Sequence, residues 1–302
     1  MDISKLKKFS QFARRALVEQ VDARLGLVLT GGASERRENP IAMKKLDVAI
    51  RENGKDEVIE RVAYIWFNRL SALRYMDLNN LNSIRVVSPA AGQFQPEILI
   101  EAKAGNISED IVPEKTRKRV FALLDGRVSS PDSQSEAYRL LLVAVCNYWQ
   151  KSMPFLFERI DDYTELLLPE DLLSPASILA YLREAMTPNA SEDVEIIGWL
   201  YQFYISDKKD EVINRRGVVA KDEIPAATQL FTPHWIVRYL VENSLGRLWM
   251  LNHPDSRLIE QMDYYIKPEE PETDFLRISS PEEIKICDPA CGSGHMLTYA
   301  FD

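Results

Sequence analysis

The chain contains 302 residues, and its 46% hydrophobic and 27% charged residues are typical of a folded globular protein rather than a disordered one. A net charge of −9 at pH 7 argues against a chain-wide basic surface that binds DNA through its phosphates. The longest apolar run, 140–146, is too short for a membrane span, and the first ten residues lack the apolar stretch of a secretory signal. Three cysteines without framework spacing fit a reducing compartment, so the sequence predicts a cytoplasmic protein with no membrane partner.

Residues 1–225 are predicted to form a helical N-terminal domain. Apolar residues recur at three- and four-residue spacing after Ser4, which is typical of an amphipathic helix. Segments 55–80 and 136–149 are apolar on more than one side, which indicates buried helices. A possible break within this domain is predicted near 113–134.

Residues 226–302 are predicted to begin a second domain. Thr232 and Pro233 place a capping residue before a proline, a pair that is typical of a helix start, and the helix is predicted over 232–252. A loop rich in proline, aspartate and glutamate follows over 253–282. The last twenty residues of the chain carry its strongest functional pattern.

Residues 283–302 are predicted to form a strand, a turn and a helix. The run EIKIC, 283–287, is typical of a buried strand, and Pro289 ends it because proline cannot donate to a sheet ladder. In the turn, Gly292 and Gly294 permit positive φ and carry no Cβ that would keep a ligand from the backbone. Asp288 can accept a hydrogen bond from an ammonium or hydroxyl group, while the N-terminus of the following helix favours a carboxylate. This combination suits a zwitterionic ligand.

The turn does not fit the common nucleotide-binding motifs. A Walker phosphate loop requires a lysine after the glycines, and a dinucleotide fingerprint requires a third glycine; the turn has neither. Cys287, Cys291 and His295 are spaced by four, but a zinc site has no fourth ligand nearby. A glycine-rich turn without a ligand remains an alternative on this segment alone.

A second motif precedes the turn by about sixty residues, and the pair resembles a known family. QLFTP, 229–233, and DPACGSGH, 288–295, are similar to motifs X and I of the DNA amino-methyltransferases in which the cofactor motif precedes the catalytic motif. Longer stretches resemble the N-terminal part of the PglX family, the adenine-specific methyltransferases of bacteriophage-exclusion (BREX) defence systems; these stretches are 62–79, 197–212 and 224–249. The resemblance is weak across 26–55 and 82–130.

The resemblance implies a cofactor, partners and a set of site residues. The cofactor is S-adenosylmethionine, and the partners are DNA, through the full-length protein, and other proteins of the defence system. Two groups of residues would line the cofactor site: Asp288, Pro289, Ala290, Gly292 and Gly294 around the methionine moiety, and Phe231, Thr232 and Pro233 on the other side. The implied fold class is mainly α, a multi-helix domain followed by the first strand, turn and helix of an incomplete Rossmann-like methyltransferase domain.

The catalytic motif of that family is absent from this sequence. It is an (N/D/S)PP(Y/F/W) tetrapeptide, and the chain contains no Pro-Pro dipeptide. The nearest candidate, Asn39-Pro40-Ile41, lacks the second proline. The sequence therefore predicts an N-terminal fragment of a site-specific DNA adenine-N6 methyltransferase, with no catalytic residue of its own and no activity alone. The alternative is a helical module that binds defence proteins or positions DNA.

Two arginines and several aromatic residues of the helical domain have both a structural and a functional interpretation. Arg69 and Arg74 lie in an otherwise apolar helix and are interpreted as structural ion pairs rather than phosphate contacts. The aromatic residues are interpreted as core rather than base-stacking platforms, because they recur at helical spacing; they are Trp66, Tyr75, Trp199, Tyr201 and Tyr204.

Overall fold

The computed structural model describes residues 3–30, 39–154, 156–157, 163–191, 195–215, 218–219, 224–228, 231–292 and 294–302. Its α-helices are α1 Ile3–Thr30, α2 Pro40–Asn53, α3 Lys55–Leu78, α4 Glu97–Lys103, α5 Glu114–Leu124, α6 Ser133–Trp149, α7 Tyr163–Leu166, α8 Ile178–Ala185, α9 Glu195–Tyr204, α10 Ser206–Asn214, α11 Ile224–Thr228, α12 His234–Val241, α13 Arg247–Asn252 and α14 His295–Phe301. The predicted mainly α class is confirmed.

The chain divides into two compact units, Met1–Tyr204 and Ile205–Asp302, which we call unit 1 and unit 2. The sequence-based boundary lay later, between 225 and 226. The interval 113–134, predicted as a possible break, contains α5, whose Val120 and Leu123 are fully buried inside unit 1.

Unit 1 is built around three long helices, α1, α3 and α6. α3 begins after Gly54, which adopts φ 86°, and carries acidic residues in its first turn, where they interact favourably with the helix dipole. Trp66 lies at its centre with no exposed surface, and its indole N–H donates to the carbonyl oxygen of Thr164 at 2.9 Å. The breadth of the apolar surface predicted for this helix is therefore explained by burial on several sides.

A buried carboxylate fixes the loop that follows α3. Asp77 is 2% exposed and accepts hydrogen bonds from the backbone N–H groups of Val86, Val87 and Ser88 at 2.9, 2.8 and 2.8 Å. The hydroxyl of Ser88 donates to the same carboxylate at 2.8 Å and accepts from Nη1 of Arg74 at 2.6 Å. The loop has little regular structure, and its backbone is held by these side-chain contacts.

Unit 2 contains α10 and α11, a longer helix interrupted by a π-helical turn, a long irregular segment and the terminal helix α14. α12 continues through a π-helical turn, Glu242–Gly246, into α13. The helix begins at His234, with Pro233 as its N-cap and no side-chain capping bond, so Thr232 does not cap it as predicted. The described residues between Asn252 and α14 are irregular, apart from two short 3₁₀ turns.

The buried strand predicted over 283–287 is not found. The structure assigns no strand in any of the residues that it describes, and the side chains of Ile286 (51% exposed) and Cys287 are exposed. A strand is stabilised by pairing its N–H and C=O groups with a neighbouring strand. Since the described part of unit 2 offers no such neighbour, the run is unpaired, and its β-forming residues alone do not create a sheet.

Candidate cofactor site

The turn before α14, described at 288–292 and at Gly294, depends on its glycines. Oδ1 of Asp288 accepts a hydrogen bond from the N–H of Ala290 at 3.0 Å, which closes the start of the turn. The N–H of Gly294 donates to the carbonyl of Cys291 at 2.8 Å. Gly292 and Gly294 adopt φ 54° and 76°, in the left-handed region that favours glycine. Gly294 is also the N-cap of α14, so the turn leads directly into the helix.

A Cβ would fit beside either of these glycines without a close contact. A Cβ added at Gly292 would lie 3.7 Å from the carbonyl oxygen of Ala290, and one at Gly294 would lie 3.9 Å from Sγ of Cys291. Both distances are ordinary van der Waals contacts. Glycine is therefore required by the backbone conformation rather than by crowding within the chain, and the turn leaves room for a ligand close to its main chain.

The segment 231–233 packs against the first residue of α14. The ring of Phe231, which is buried, stacks on the ring of His295 with a centroid distance of 4.7 Å and an interplanar angle of 10°. Nδ1 of His295 lies 3.1 Å from the carbonyl oxygen of Thr232. The structure thus joins the two predicted motifs through a residue, His295, that sequence reasoning did not include among the cofactor-binding residues.

The eight predicted residues lie at these two places. Phe231, Thr232 and Pro233 lie directly before α12, with Pro233 as its N-cap, while Asp288, Pro289, Ala290, Gly292 and Gly294 lie in the turn before α14. The hydrogen bond given above for Asp288 is to the N–H of Ala290, another residue of the same turn. That the eight residues bind S-adenosylmethionine stays a prediction.

A network of polar side chains supports the two helices of the site. Glu242, whose side chain is 2% exposed, accepts from Oη of Tyr299 at 2.9 Å, from Nε of Arg238 at 3.1 Å and from the N–H of Tyr264 at 2.6 Å. Arg238 also forms a salt bridge with Asp263 at 2.8 Å. These residues come from α12, from its π-helical extension, from α14 and from the irregular segment between them.

The contacts of this network raise the pKa values of Tyr299 and Arg238. Burial raises the pKa of Tyr299, and its hydrogen bond to Glu242 raises it further. Burial opposes the charge of Arg238, but hydrogen bonds to Tyr299, Asp263 and Glu242 outweigh it and raise the pKa of the guanidinium. Tyr299 is therefore a neutral donor to the Glu242 carboxylate.

Sequence reasoning missed this network, although one signal was present. His234, Arg238 and Glu242 are spaced by four, as are His295 and Tyr299, so each set lies on one face of its helix. The sequence does not show that these two helix faces contact each other. The ring of Tyr299 contacts the ring of His234 edge-on at 5.6 Å, and the rings of His234 and His295 are stacked at the same distance.

No group of three or more histidine, cysteine, aspartate or glutamate side chains is placed to hold a metal in the described part of the chain. Cys287 and Cys291 are both exposed free thiols. Nδ1 of His295 is engaged by the backbone of Thr232.

Within the described residues, no helix is long and apolar enough to cross a membrane.

The arginines and aromatic residues of unit 1 are structural where their contacts are described. Arg69 is 1% exposed and lies over the ring of Trp66 at 5.2 Å. Arg74 donates to the carbonyl of Met186 at 2.8 and 3.1 Å, and burial lowers the pKa of its guanidinium to about 10. Trp66 and Tyr204 are core residues, as predicted, whereas the remaining three aromatic residues of that set are half-buried.

Two relatives bear on what the site is for. Over 263 residues the chain is 46% identical to a protein named adenine-specific methyltransferase BrxX from Escherichia coli O9:H4 (strain HS), an alignment that covers 83% of this chain and 21% of BrxX. The chain belongs to the PglX family. It is also 33% identical to the adenine-specific methyltransferase PglX of Lacticaseibacillus casei (strain Zhang), with all of this chain and 29% of that protein aligned.

The family resemblance inferred from the motifs is therefore confirmed, and it extends over the helical unit as well as the turn. No protein-family model matches the chain. The chain spans between a fifth and a third of the length of these PglX-family relatives.

Proposed function

We propose that this chain is the N-terminal part of an S-adenosylmethionine-dependent DNA adenine-N6 methyltransferase that acts in phage defence. Its contribution to the reaction is one part of the cofactor site, and residues outside this sequence bind and orient the adenine. The observation that carries the proposal is the stack of Phe231, in the QLFTP motif, on His295, in the DPACGSGH motif. The two motifs are about sixty residues apart in the sequence, and this contact supports the proposal that they bind one ligand.

The residues of the turn fit the amino-acid end of this cofactor. When bound, S-adenosylmethionine would supply the methyl group that the exocyclic amine of a flipped adenine accepts. Asp288 has one carboxylate oxygen on Ala290, and the other can accept from the cofactor's ammonium group. The glycine turn exposes main-chain groups to the ligand because it has no Cβ atoms at Gly292 and Gly294. Phe231, Thr232 and Pro233 would close the site from the side of α12.

The chain alone is expected to be catalytically inactive. It contains no Pro-Pro dipeptide and so lacks the tetrapeptide that holds the adenine amine in such enzymes. We expect residues 1–302 to bind S-adenosylmethionine weakly or not at all, and micromolar binding by this fragment in isothermal titration would contradict that expectation.

The cofactor site is tested by a pair of glycine variants in the full-length protein. Gly294 and Gly92 both adopt φ 76°, and a Cβ at either position meets nothing closer than an ordinary contact, so valine strains the backbone equally at both. We expect Gly294→Val to lower the affinity for S-adenosylmethionine at least tenfold, since it fills the space beside the turn. Gly92→Val should leave that affinity unchanged.

Isothermal titration with S-adenosylmethionine measures both affinities, and thermal unfolding shows whether both variants fold. Equal affinities for wild type, Gly294→Val and Gly92→Val would refute the proposed site. A wild-type protein that does not bind S-adenosylmethionine at all would refute the proposed function.

A second candidate function, a DNA-positioning or protein-binding role for unit 1, is favoured by the charge of α1. Between residues 3 and 18 the helix carries five cations and no acid; the cations are Lys5, Lys7, Lys8, Arg14 and Arg15. Lys8 and Arg15 are exposed, whereas Arg14 pairs with Glu60 at 2.6 Å. A cationic stripe of this kind binds phosphates by releasing counterions.

Reversing the charge of two cations on α1 tests the DNA-positioning candidate. If α1 contacts DNA, the double variant Lys8→Glu, Arg15→Glu of the full-length protein should bind DNA more weakly, and its affinity should depend less on salt concentration. The control is Lys118→Glu, at an exposed position of α5, which should change neither the affinity nor its salt dependence. An unchanged salt dependence would leave α1 as a solvated helix face.

A further inference from the structure

The helix that begins the cofactor site contains a feature that helices seldom have. Between α12 and α13, residues Glu242–Gly246 form a π-helical turn, and such turns occur mostly as single insertions within α-helices, frequently at functional sites. Glu242 begins this turn, and its side chain is 2% exposed. A buried carboxylate costs free energy unless charged and hydrogen-bonding partners offset its loss of water.

Three partners from three segments meet that requirement for Glu242. Arg238 on α12 supplies the positive charge, Tyr299 on α14 donates its hydroxyl, and Tyr264 donates its backbone N–H. Nε of Arg238 also donates to Oη of Tyr299 at 3.2 Å, so the three side chains form a closed triangle. Both carboxylate oxygens are used, which makes the position of the carboxylate depend on all three segments at once.

The triangle is connected to the cofactor motifs through aromatic contacts. Tyr299 touches His234, His234 stacks on His295, and His295 stacks on Phe231, with centroid distances of 5.6, 5.6 and 4.7 Å. α14 is therefore held at two points about one turn apart, at His295 by the 231–233 segment and at Tyr299 by Glu242. The glycine turn is joined directly to the first of these points.

We propose that Glu242 is a positioning residue for the methyl-donor site, which fixes the glycine turn 288–294 relative to 231–233 by holding Tyr299. It does not touch the cofactor itself. The inference rests on the proposed function, and it adds a residue outside both cofactor motifs to the set on which cofactor binding depends. Tyr299 acts through the same contact.

The test uses the full-length protein with three variants. Glu242→Gln keeps the shape of the side chain but replaces one acceptor oxygen by a donor, so it cannot accept from both Tyr264 and the Tyr299–Arg238 pair. Tyr299→Phe removes only the hydroxyl, which donates to Glu242 and accepts from Arg238. Glu260→Gln is the control, since Glu260 lies in the same unit but pairs with Arg257 on the exposed surface.

We expect Glu242→Gln to raise KM for S-adenosylmethionine about tenfold, the effect of losing roughly one charge-assisted hydrogen bond, and to leave kcat at saturating cofactor within about twofold. Tyr299→Phe should raise the same KM by a smaller factor, about threefold, because Glu242 keeps its charge and its hydrogen bonds from Arg238 and Tyr264. Glu260→Gln should behave as wild type. A fall in kcat without a change in KM, or an unchanged KM in Glu242→Gln, would overturn the inference.

A second measurement does not depend on the cofactor. Hydrogen exchange of the amides of 288–299 should be faster in Glu242→Gln than in Glu260→Gln, while exchange in α3 of unit 1 stays the same. Equal exchange over 288–299 in the two variants would overturn the positioning role. Because wild-type cofactor binding and Gly294→Val test the proposed function separately, a failure confined to the Glu242 variants rejects this inference and leaves the proposed function in place.

Discussion

At the scale of single residues, two buried carboxylates organise irregular backbone in this chain. Asp77 in unit 1 accepts from three consecutive backbone N–H groups, and Glu242 in unit 2 accepts from one. In each case an arginine on the same helix lies close by: Arg74 reaches Asp77 through Ser88, and Arg238 binds Glu242 directly. In these irregular segments the carboxylates accept hydrogen bonds from backbone N–H groups that a neighbouring strand would accept in a sheet.

Replacing Asp77 by asparagine tests how much stability this arrangement contributes. The introduced amide would direct an N–H group at backbone donors, leaving at least one of them without an acceptor, and it would remove the negative charge near Arg74. We expect the free energy of unfolding to fall by about 2–4 kcal/mol, as for other buried, hydrogen-bonded charges. Urea titration followed by circular dichroism measures it.

Asp125→Asn is the matched control, because Asp125 pairs with Arg127 at an exposed site, and surface pairs contribute little. We expect the control to change stability by less than about 0.5 kcal/mol. If Asp77→Asn is as stable as the control, the loop after α3 does not depend on this carboxylate.

At the scale of elements, the sequence predicted long helices well and failed where structure depends on distant contacts. The helix predicted over 55–80 is observed as Lys55–Leu78, because a broad apolar surface repeated over several turns leaves few alternatives. EIKIC has equally clear strand-forming residues, yet pairing decides whether a strand exists. The π-helical turn within 232–252 could not be predicted either, since it depends on Glu242 meeting Tyr299 and Tyr264.

The π-helical turn also makes close contact with the segment that follows α13, at Gly246. A Cβ at this buried glycine would lie 2.5 Å from Sδ of Met262, so alanine requires the flexible methionine side chain to move. Alanine favours a helical backbone over glycine by about 1 kcal/mol, which offsets part of that displacement. We expect Gly246→Ala alone to change the free energy of unfolding by less than about 1 kcal/mol.

The same substitution should stabilise the protein by about 1 kcal/mol when Met262→Ala has already removed the obstructing sulfur, so the two changes are expected to be non-additive. A double-mutant cycle by urea titration measures the coupling. Additive effects would show that Gly246 and Met262 are not in contact in solution.

At the scale of the whole molecule, the two units differ in how much apolar surface they bury. Unit 1 contains a broad core that includes Trp66, Tyr138 and Phe157, all without exposed surface. In the described part of unit 2 the buried hydrophobic residues are few, namely Val212, Ala226, Phe231, Val237 and Ile278. Large apolar side chains such as Trp235 (56%) and Phe301 (91%) are exposed there.

Local stability follows from buried apolar contacts, so the two units should open with different free energies. In residues 1–302, we expect amides of α3 and α6 to exchange at least a hundredfold more slowly than those of α12 and α14, which corresponds to a difference of about 3 kcal/mol in opening free energy. Hydrogen exchange with mass spectrometry measures each helix. Comparable protection in all four helices would show that the few contacts of the Glu242 network suffice to hold unit 2. Slow exchange in α12 and α14 that is lost in Glu242→Ala would assign that protection to the carboxylate itself, because the substitution removes all three of its hydrogen bonds at once.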